Sequence, residues 1–119
     1  MKKSLLLLLS IISLSTLTLA TSNSFACGQA FPDTDPHFCS SFKEVAICHC
    51  VGAGLPRAAC QNMHTLYSRM IGMFGSLERA CAFQKDTSTQ ACIDDWKCYL
   101  NGNEDSAGRL CSGTGFTCE

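Results

Sequence analysis

Ten cysteines in 119 residues constrain this chain more than any other feature. An even, dense set of thiols behind an export signal reads as a disulfide framework, here of up to five bridges. The export signal stands at the start of the chain. Lys2 and Lys3 precede an apolar core of Leu5 to Leu9, Ile11, Ile12 and Leu14, and small-x-small pairs follow at Thr18/Ala20 and Ser24/Ala26. This is the order of a secretory signal peptide. We read residues 1–26 as the signal, cleaved after Ala26 or alternatively after Ala20, and residues 27–119 as one disulfide-rich domain. Ser10, Ser13, Ser15 and Thr16 interrupt the apolar stretch and leave it too short for a membrane span. The Lys-Lys start and compact Leu core are bacterial in style, so the expected location is the periplasm or outer membrane, or outside the cell. Ser24-Phe25-Ala26-Cys27 also sets a cysteine directly after a small residue, as bacterial lipoprotein signals do. Lipidation of Cys27 is therefore the variant reading, although Ser24 stands where such signals carry Leu.

All ten cysteines remain after residue 26. Loss of Lys2 and Lys3 takes the nine basic side chains to 7, against 10 acidic ones, for a net charge of -3. That balance gives no reason to expect nucleic acid or an anionic membrane surface as partner. Charged residues are only 16% of the chain, which argues against a long disordered tail.

Three helical patterns and no convincing strand follow. The first opens at Asp35-Pro36, an N-cap followed by a proline suited to the first helical position. Phe38, Phe42, Val45 and Cys48/His49 fall at helical spacing, and Gly52 and Gly54 end the pattern, so a helix is predicted over 36–50. The second opens at Pro56. Ala59, Met63, Leu66, Met70, Phe74 (or Met73), Leu77 and Cys81 step by three and four residues along one face, which predicts a helix over 57–82. Gly72 and Gly75 each weaken it by about 1 kcal/mol relative to Ala and mark either a kink or a close helix approach. The third carries a capping box at Thr87 and Gln90 and an inward stripe of Cys92, Trp96 and Tyr99, and it stops at Asn101-Gly102. Residues 103–119 are rich in Gly, Ser and Thr and read as a stapled irregular loop. The fold class is thus all-α: a small disulfide-stapled bundle of about three helices.

Helix geometry limits the pairing. In a continuous second helix, Cys60 and Cys81 stand about 31 Å apart, far beyond disulfide reach, so each must bond to another element. The hairpin between the first two helices centres near residue 54 and pairs Cys48 with Cys60. The next hairpin brings Cys81 to Cys92. Cys27, Cys39, Cys50, Cys98, Cys111 and Cys118 are left to anchor the two tails, in an order the spacing does not fix. Cys48-His49-Cys50 is the tightest pair, and on a helix its thiols point about 200° apart, toward different partners. No C-x-x-C is present, which weighs against thiol redox catalysis. His49, Met63, His64, Met70 and Met73 offer soft ligands for copper or zinc, but Met at helical spacing usually fills a core.

One stretch resembles a known enzyme family. Cys48-His49-Cys50-Val51-Gly52-Ala53-Gly54 is similar to the Gly-rich calcium loop of secreted phospholipase A2. Cys60, His64 and Tyr67 are similar to that family's catalytic helix, and Cys92, Asp94, Asp95 and Cys98 to the antiparallel helix carrying its buried Asp. The resemblance implies a His64 general base assisted by Asp94 or Asp95, with calcium stabilising the oxyanion. The sequence departs from the family at Thr65, where a calcium-binding Asp would stand, at Val51, where the loop has Gly, and in a Cys-to-His spacing one residue longer. The tail Cys111-Ser112-Gly113-Thr114-Gly115-Phe116-Thr117-Cys118 resembles the ending of EGF-like modules without their six-cysteine spacing. As a class, an exported, Cys-rich helical chain of this size resembles small periplasmic accessory proteins of type IVB (Dot/Icm-like) secretion systems.

The reading is therefore a non-enzymatic exported protein that needs no cofactor or metal. It works by binding protein partners in the cell envelope, as an accessory subunit of an envelope or secretion complex. Membrane association would come through that complex or through a lipid on Cys27. The alternatives are a calcium-dependent phospholipase A2-like hydrolase using His64, Asp94 and Asp95, and a secreted effector or inhibitor.

Overall fold

A computed structural model describes residues 27–119; residues 1–26, read above as an export signal, lie outside the described residues. Four helices form the body: α1 (Phe38–Gly52), α2 (Met63–Phe74), α3 (Leu77–Phe83) and α4 (Thr89–Asn101), with 3-10 turns at Arg57–Cys60 and Cys111–Gly113. The fold is all-α and disulfide-stapled, and its C-terminal loop is irregular apart from one antiparallel bridge between Glu104 and Leu110.

Each boundary that differs from the sequence expectation has a local cause. Helix α1 starts at Phe38 rather than at residue 36, because the Asp35 carboxylate accepts the His37 N–H at 2.7 Å and closes a turn before the helix begins. It runs through Gly52, and Gly54, at φ +97°, supplies the left-handed stop. The expected long second helix is three pieces. Asn62 caps α2 by accepting the Thr65 N–H, Gly75 ends it at φ +87°, and Ser76 caps α3 by accepting the Arg79 N–H. Helix α4 is capped by Ser88, whose hydroxyl accepts the Ala91 N–H, rather than by Thr87. Gln90 turns instead to the Asp94 side chain, 3.1 Å away.

The core lies where α1, α2 and α4 meet. Phe38 stacks on Phe42 at 5.4 Å, Phe42 meets Trp96 edge-on at 5.0 Å, and Tyr67 closes on the other side of Trp96 at 5.5 Å. Such pairs add about 0.5–1.5 kcal/mol each beyond the area they bury. Ile47, Met63, Leu66 and Leu77 fill the remainder. Met63, Leu66, Leu77 and Cys81 of the expected stripe are buried and half-buried Met70 packs against the core, whereas Met73 is exposed and Phe74 only half-buried. The break at Gly75 ends one helix and resets the direction of the next.

All ten cysteines are bonded: Cys27–Cys48, Cys39–Cys118, Cys50–Cys60, Cys81–Cys92 and Cys98–Cys111. The Cys81–Cys92 bridge joins α3 to α4 across their hairpin. The Cys48–Cys60 pairing does not form. Helix α1 continues two residues further than expected and turns buried Cys50 toward Cys60, while Cys48 faces the N-terminal segment and takes Cys27. The two thiols around His49 thus serve different partners, as their helical angle requires.

Two glycines play opposite parts. At Gly102 the backbone adopts φ +68°, ψ -145°, and an added Cβ would lie 2.8 Å from backbone atoms of Gly115, Phe116 and Thr117. Gly72 sits inside α2 with open space around it. Gly102→Ala should therefore cost about 3 kcal/mol or more, and Gly72→Ala should add up to about 1 kcal/mol. Urea unfolding of the two variants checks the contrast. Equal responses would mean that the C-terminal loop does not press on the end of α4.

Candidate functional site

The most concentrated chemistry is a carboxylate cluster that ties three parts of the chain together. Asp33 comes from the N-terminal segment, Asp94 from α4 and Asp105 from the C-terminal loop. All three are buried, and their carboxylate oxygens lie within 4.8 Å of one another. Each is placed by its own neighbourhood. The Asp33 carbonyl accepts the Ser112 N–H. Asp94 accepts from the Ser106 hydroxyl at 2.6 Å, the Ser106 N–H at 3.2 Å and the Gln90 amide. Asp105 begins a tight turn: its Oδ1 accepts the N–H groups of Ala107 and Arg109, both at 2.9 Å. Its Oδ2 takes the Arg109 guanidinium through Nε and Nη2, both at 2.8 Å. The same Arg109 Nη2 lies 4.0 Å from Asp33.

Three buried carboxylates beside one guanidinium leave excess negative charge, and protons resolve it. Burial, then a hydrogen bond to Asp105 and the charge of that carboxylate, push Asp33 up to about 6, against the pull of Arg109. Half-buried Asp95, next in sequence to Asp94, is pushed up to about 7 by burial and by the charges of Asp33 and Asp94. Burial raises Asp105 too, but the Arg109 N–H and guanidinium, the Asp33 proton and the Ala107 N–H outweigh it and hold Asp105 below the usual carboxylate range. Three oxygen ligands of this kind suit a hard cation in principle. Here Asp94 already accepts three hydrogen bonds and Asp105 four, and the Arg109 guanidinium supplies the positive charge. The arrangement works as a clasp between the two ends of the chain.

The residues suggested by the phospholipase A2 resemblance are placed otherwise. His64 meets Glu119, with Nε2 3.3 Å from Oε2, and the Tyr99 hydroxyl donates to the other Glu119 oxygen at 3.0 Å. Burial and this carboxylate raise the Tyr99 hydroxyl's pKa further above its usual value. Neither Asp94 nor Asp95 comes within ion-pair distance of His64 among the described residues. The segment Cys48–Gly52 is helix rather than open loop. The carbonyls of His49, Cys50 and Val51 accept backbone N–H groups of Ala53, Leu55 and Gly54, so they do not converge on a cation. The His64–Glu119 pair is exposed, and His64→Ala should change unfolding stability by less than about 0.5 kcal/mol in a urea titration. A larger loss would assign that pair a role in docking the C-terminal tail.

Spacing missed Asp33, Asp105 and Arg109. The i, i+4 pair Asp105–Arg109 within a Ser/Ala/Gly turn was a readable signal, whereas nothing local distinguished Asp33. An open depression of about 710 Å³ is lined by Asn103, Glu104, Asp105, Leu110, Thr114 and Gly115. No family model, curated protein or solved structure matches this chain. Fold and site therefore define a class: a disulfide-stapled all-α domain for an oxidising, exported location. Among the described residues no helix is long and apolar enough to cross a membrane.

Proposed function

We propose that this is a periplasmic binding subunit, acting as an accessory component of a bacterial envelope or secretion complex, in the manner of the small Cys-rich proteins of type IVB systems. The observation that carries this reading is the placement of large apolar side chains. Phe31, Leu110 and Phe116 are each at least half exposed on the N-terminal segment and the C-terminal loop, and Met73 and Phe83 are so on the α2–α3 hairpin. Five disulfides hold these segments, so little chain entropy is lost when a partner covers them. A preorganised surface with exposed aromatics is what a partner-binding domain requires.

The test is cell fractionation combined with site-specific photo-crosslinking from position 116. The reading expects the protein in a periplasmic or envelope fraction, in a particle much larger than the monomer, with one discrete crosslinked partner. Recovery as a free monomer in culture supernatant would favour a secreted effector or inhibitor. Calcium-dependent turnover of phospholipid that is lost in His64→Ala would favour the hydrolase.

A further inference from the structure

The α2–α3 hairpin differs in charge from the rest of the domain. Between residue 63 and the loop that follows α3, through residue 86, stand Arg69, Arg79 and Lys85 against Glu78 and Asp86. The rest of residues 27–119 carries four basic and eight acidic side chains. None of Arg69, Arg79 and Lys85 has a carboxylate within ion-pair distance among the described residues. Arg69 and Met73 are one turn apart on α2, and Arg79 and Phe83 one turn apart on α3, so each helix pairs a cation with an apolar side chain. Met73 is 78% and Phe83 67% exposed. The Phe83 ring rests on Phe74 at 5.2 Å, and the Arg79 guanidinium lies over the turn, 3.5 Å from where a Cβ on Gly75 would be. The Cys81–Cys92 bridge fixes α3 to α4 behind this surface.

We propose that the α2–α3 hairpin docks the domain onto an anionic phospholipid surface. Met73, Phe74 and Phe83 enter the headgroup boundary, and Arg69, Arg79 and Lys85 lie against lipid phosphates. Two features favour a bilayer over an acidic protein socket. The side chains project outward, and a fluid interface accepts projecting side chains without a matching shape. The charge also divides along the molecule: an anionic surface attracts the hairpin and repels the acidic remainder, which orients the domain. Net charge alone conceals this. The inference does not depend on the envelope-subunit reading, since a freely secreted protein could dock in the same way.

The experiment is flotation of the oxidised, exported protein with vesicles of phosphatidylethanolamine and phosphatidylglycerol, compared with phosphatidylcholine alone. Binding should be selective for the anionic vesicles and weaken as salt is raised. Arg79→Gln and Lys85→Gln should each lower vesicle affinity about fivefold. Met73→Ser with Phe83→Ser should abolish binding, while Lys97→Gln on α4 should leave it nearly unchanged. These positions are exposed, and thiol titration with thermal unfolding confirms that each variant keeps its bridges and fold. Equal binding to both vesicle types, no binding, or hairpin variants that bind like the parent would each overturn the inference. A protein crosslinked through position 83 in the absence of any vesicle binding would also overturn it, and would leave the envelope-subunit reading standing.

Discussion

Replacing Cys39 and Cys118 together by alanine is expected to lower the unfolding free energy by about 4 kcal/mol. The expected loss for Cys50 with Cys60 is about 2.5 kcal/mol. The difference follows from loop length. Cys39–Cys118 joins residues 79 apart, whereas Cys50–Cys60 joins residues 10 apart, and a longer closed loop removes more entropy from the unfolded chain. Paired substitution leaves no orphan thiol to scramble. A domain of this size has about 5–15 kcal/mol of stability in all, so the long bridge is a large share of it. The loss should also free the C-terminal tail, which docks through the Cys118 N–H to the Tyr99 carbonyl and through the Tyr99 hydroxyl to Glu119. Urea titrations of the two double variants decide the matter. Equal losses would show that local packing around each bridge, rather than loop closure, sets its worth.

The second large effect is a pH dependence centred on the clasp. Asp33 has its pKa raised from 3.8 to about 6 in the folded chain. Between those values the folded state holds a proton that the unfolded state has lost, so this group's stabilisation is complete below about pH 4 and is lost as pH rises through about 6. Asp95, raised to about 7, extends the same trend upward. Asp105, held below its ordinary value, acts in the opposite sense and loses its contribution only as the solution becomes more acidic. The domain should accordingly be more stable near pH 5 than near pH 7.5. Asp33→Asn should reduce that fall by about 1 kcal/mol, because the Asn side chain carries no charge to lose a proton from at either pH. It should gain stability at pH 7.5 and change little at pH 5. An unchanged slope in Asp33→Asn would mean that Asp33 is already ionised within the clasp at pH 5, with Arg109 alone balancing the charge.

Much of the secondary structure was readable along the chain, and the limits of that reading are physical. The apolar periods of α1 and α4 and the left-handed stop at Gly102 are local signals, and local sequence carries them. The second helix misled because its apolar stripe is continuous across a break. Asn62 and Ser76 are both N-cap residues and Gly75 is a C-cap, yet a periodic stripe outweighed three single-residue signals. The continuous stripe concealed the hairpin, because Met73 can count as core on a continuous helix, whereas it is exposed on the broken one. The Cys48–Cys60 expectation failed for a related reason. A shift of two residues at the end of α1 exchanges which of two oppositely directed thiols faces the partner.

The sequence by itself determined the class of fold and the redox setting. An even, dense set of cysteines together with helical periods leaves few solutions other than a stapled α-helical domain, because residues 27–119 bury only a modest core. It also determined Cys81–Cys92, since a short antiparallel hairpin has only one way to bring those two residues level. Tertiary structure alone decided the other bridges, the clasp and the exposed faces. Asp33 and Asp105 are far apart in sequence, and their shared burial depends on how the two chain ends cross at α4. Likewise, α2 and α3 each show a basic residue four places before an apolar one, but only the turn at Gly75 brings Phe83 onto Phe74 and leaves Met73 and Phe83 exposed. Periodicity records which side of a helix is apolar, whereas the direction that side faces is fixed by contacts between residues far apart in the chain.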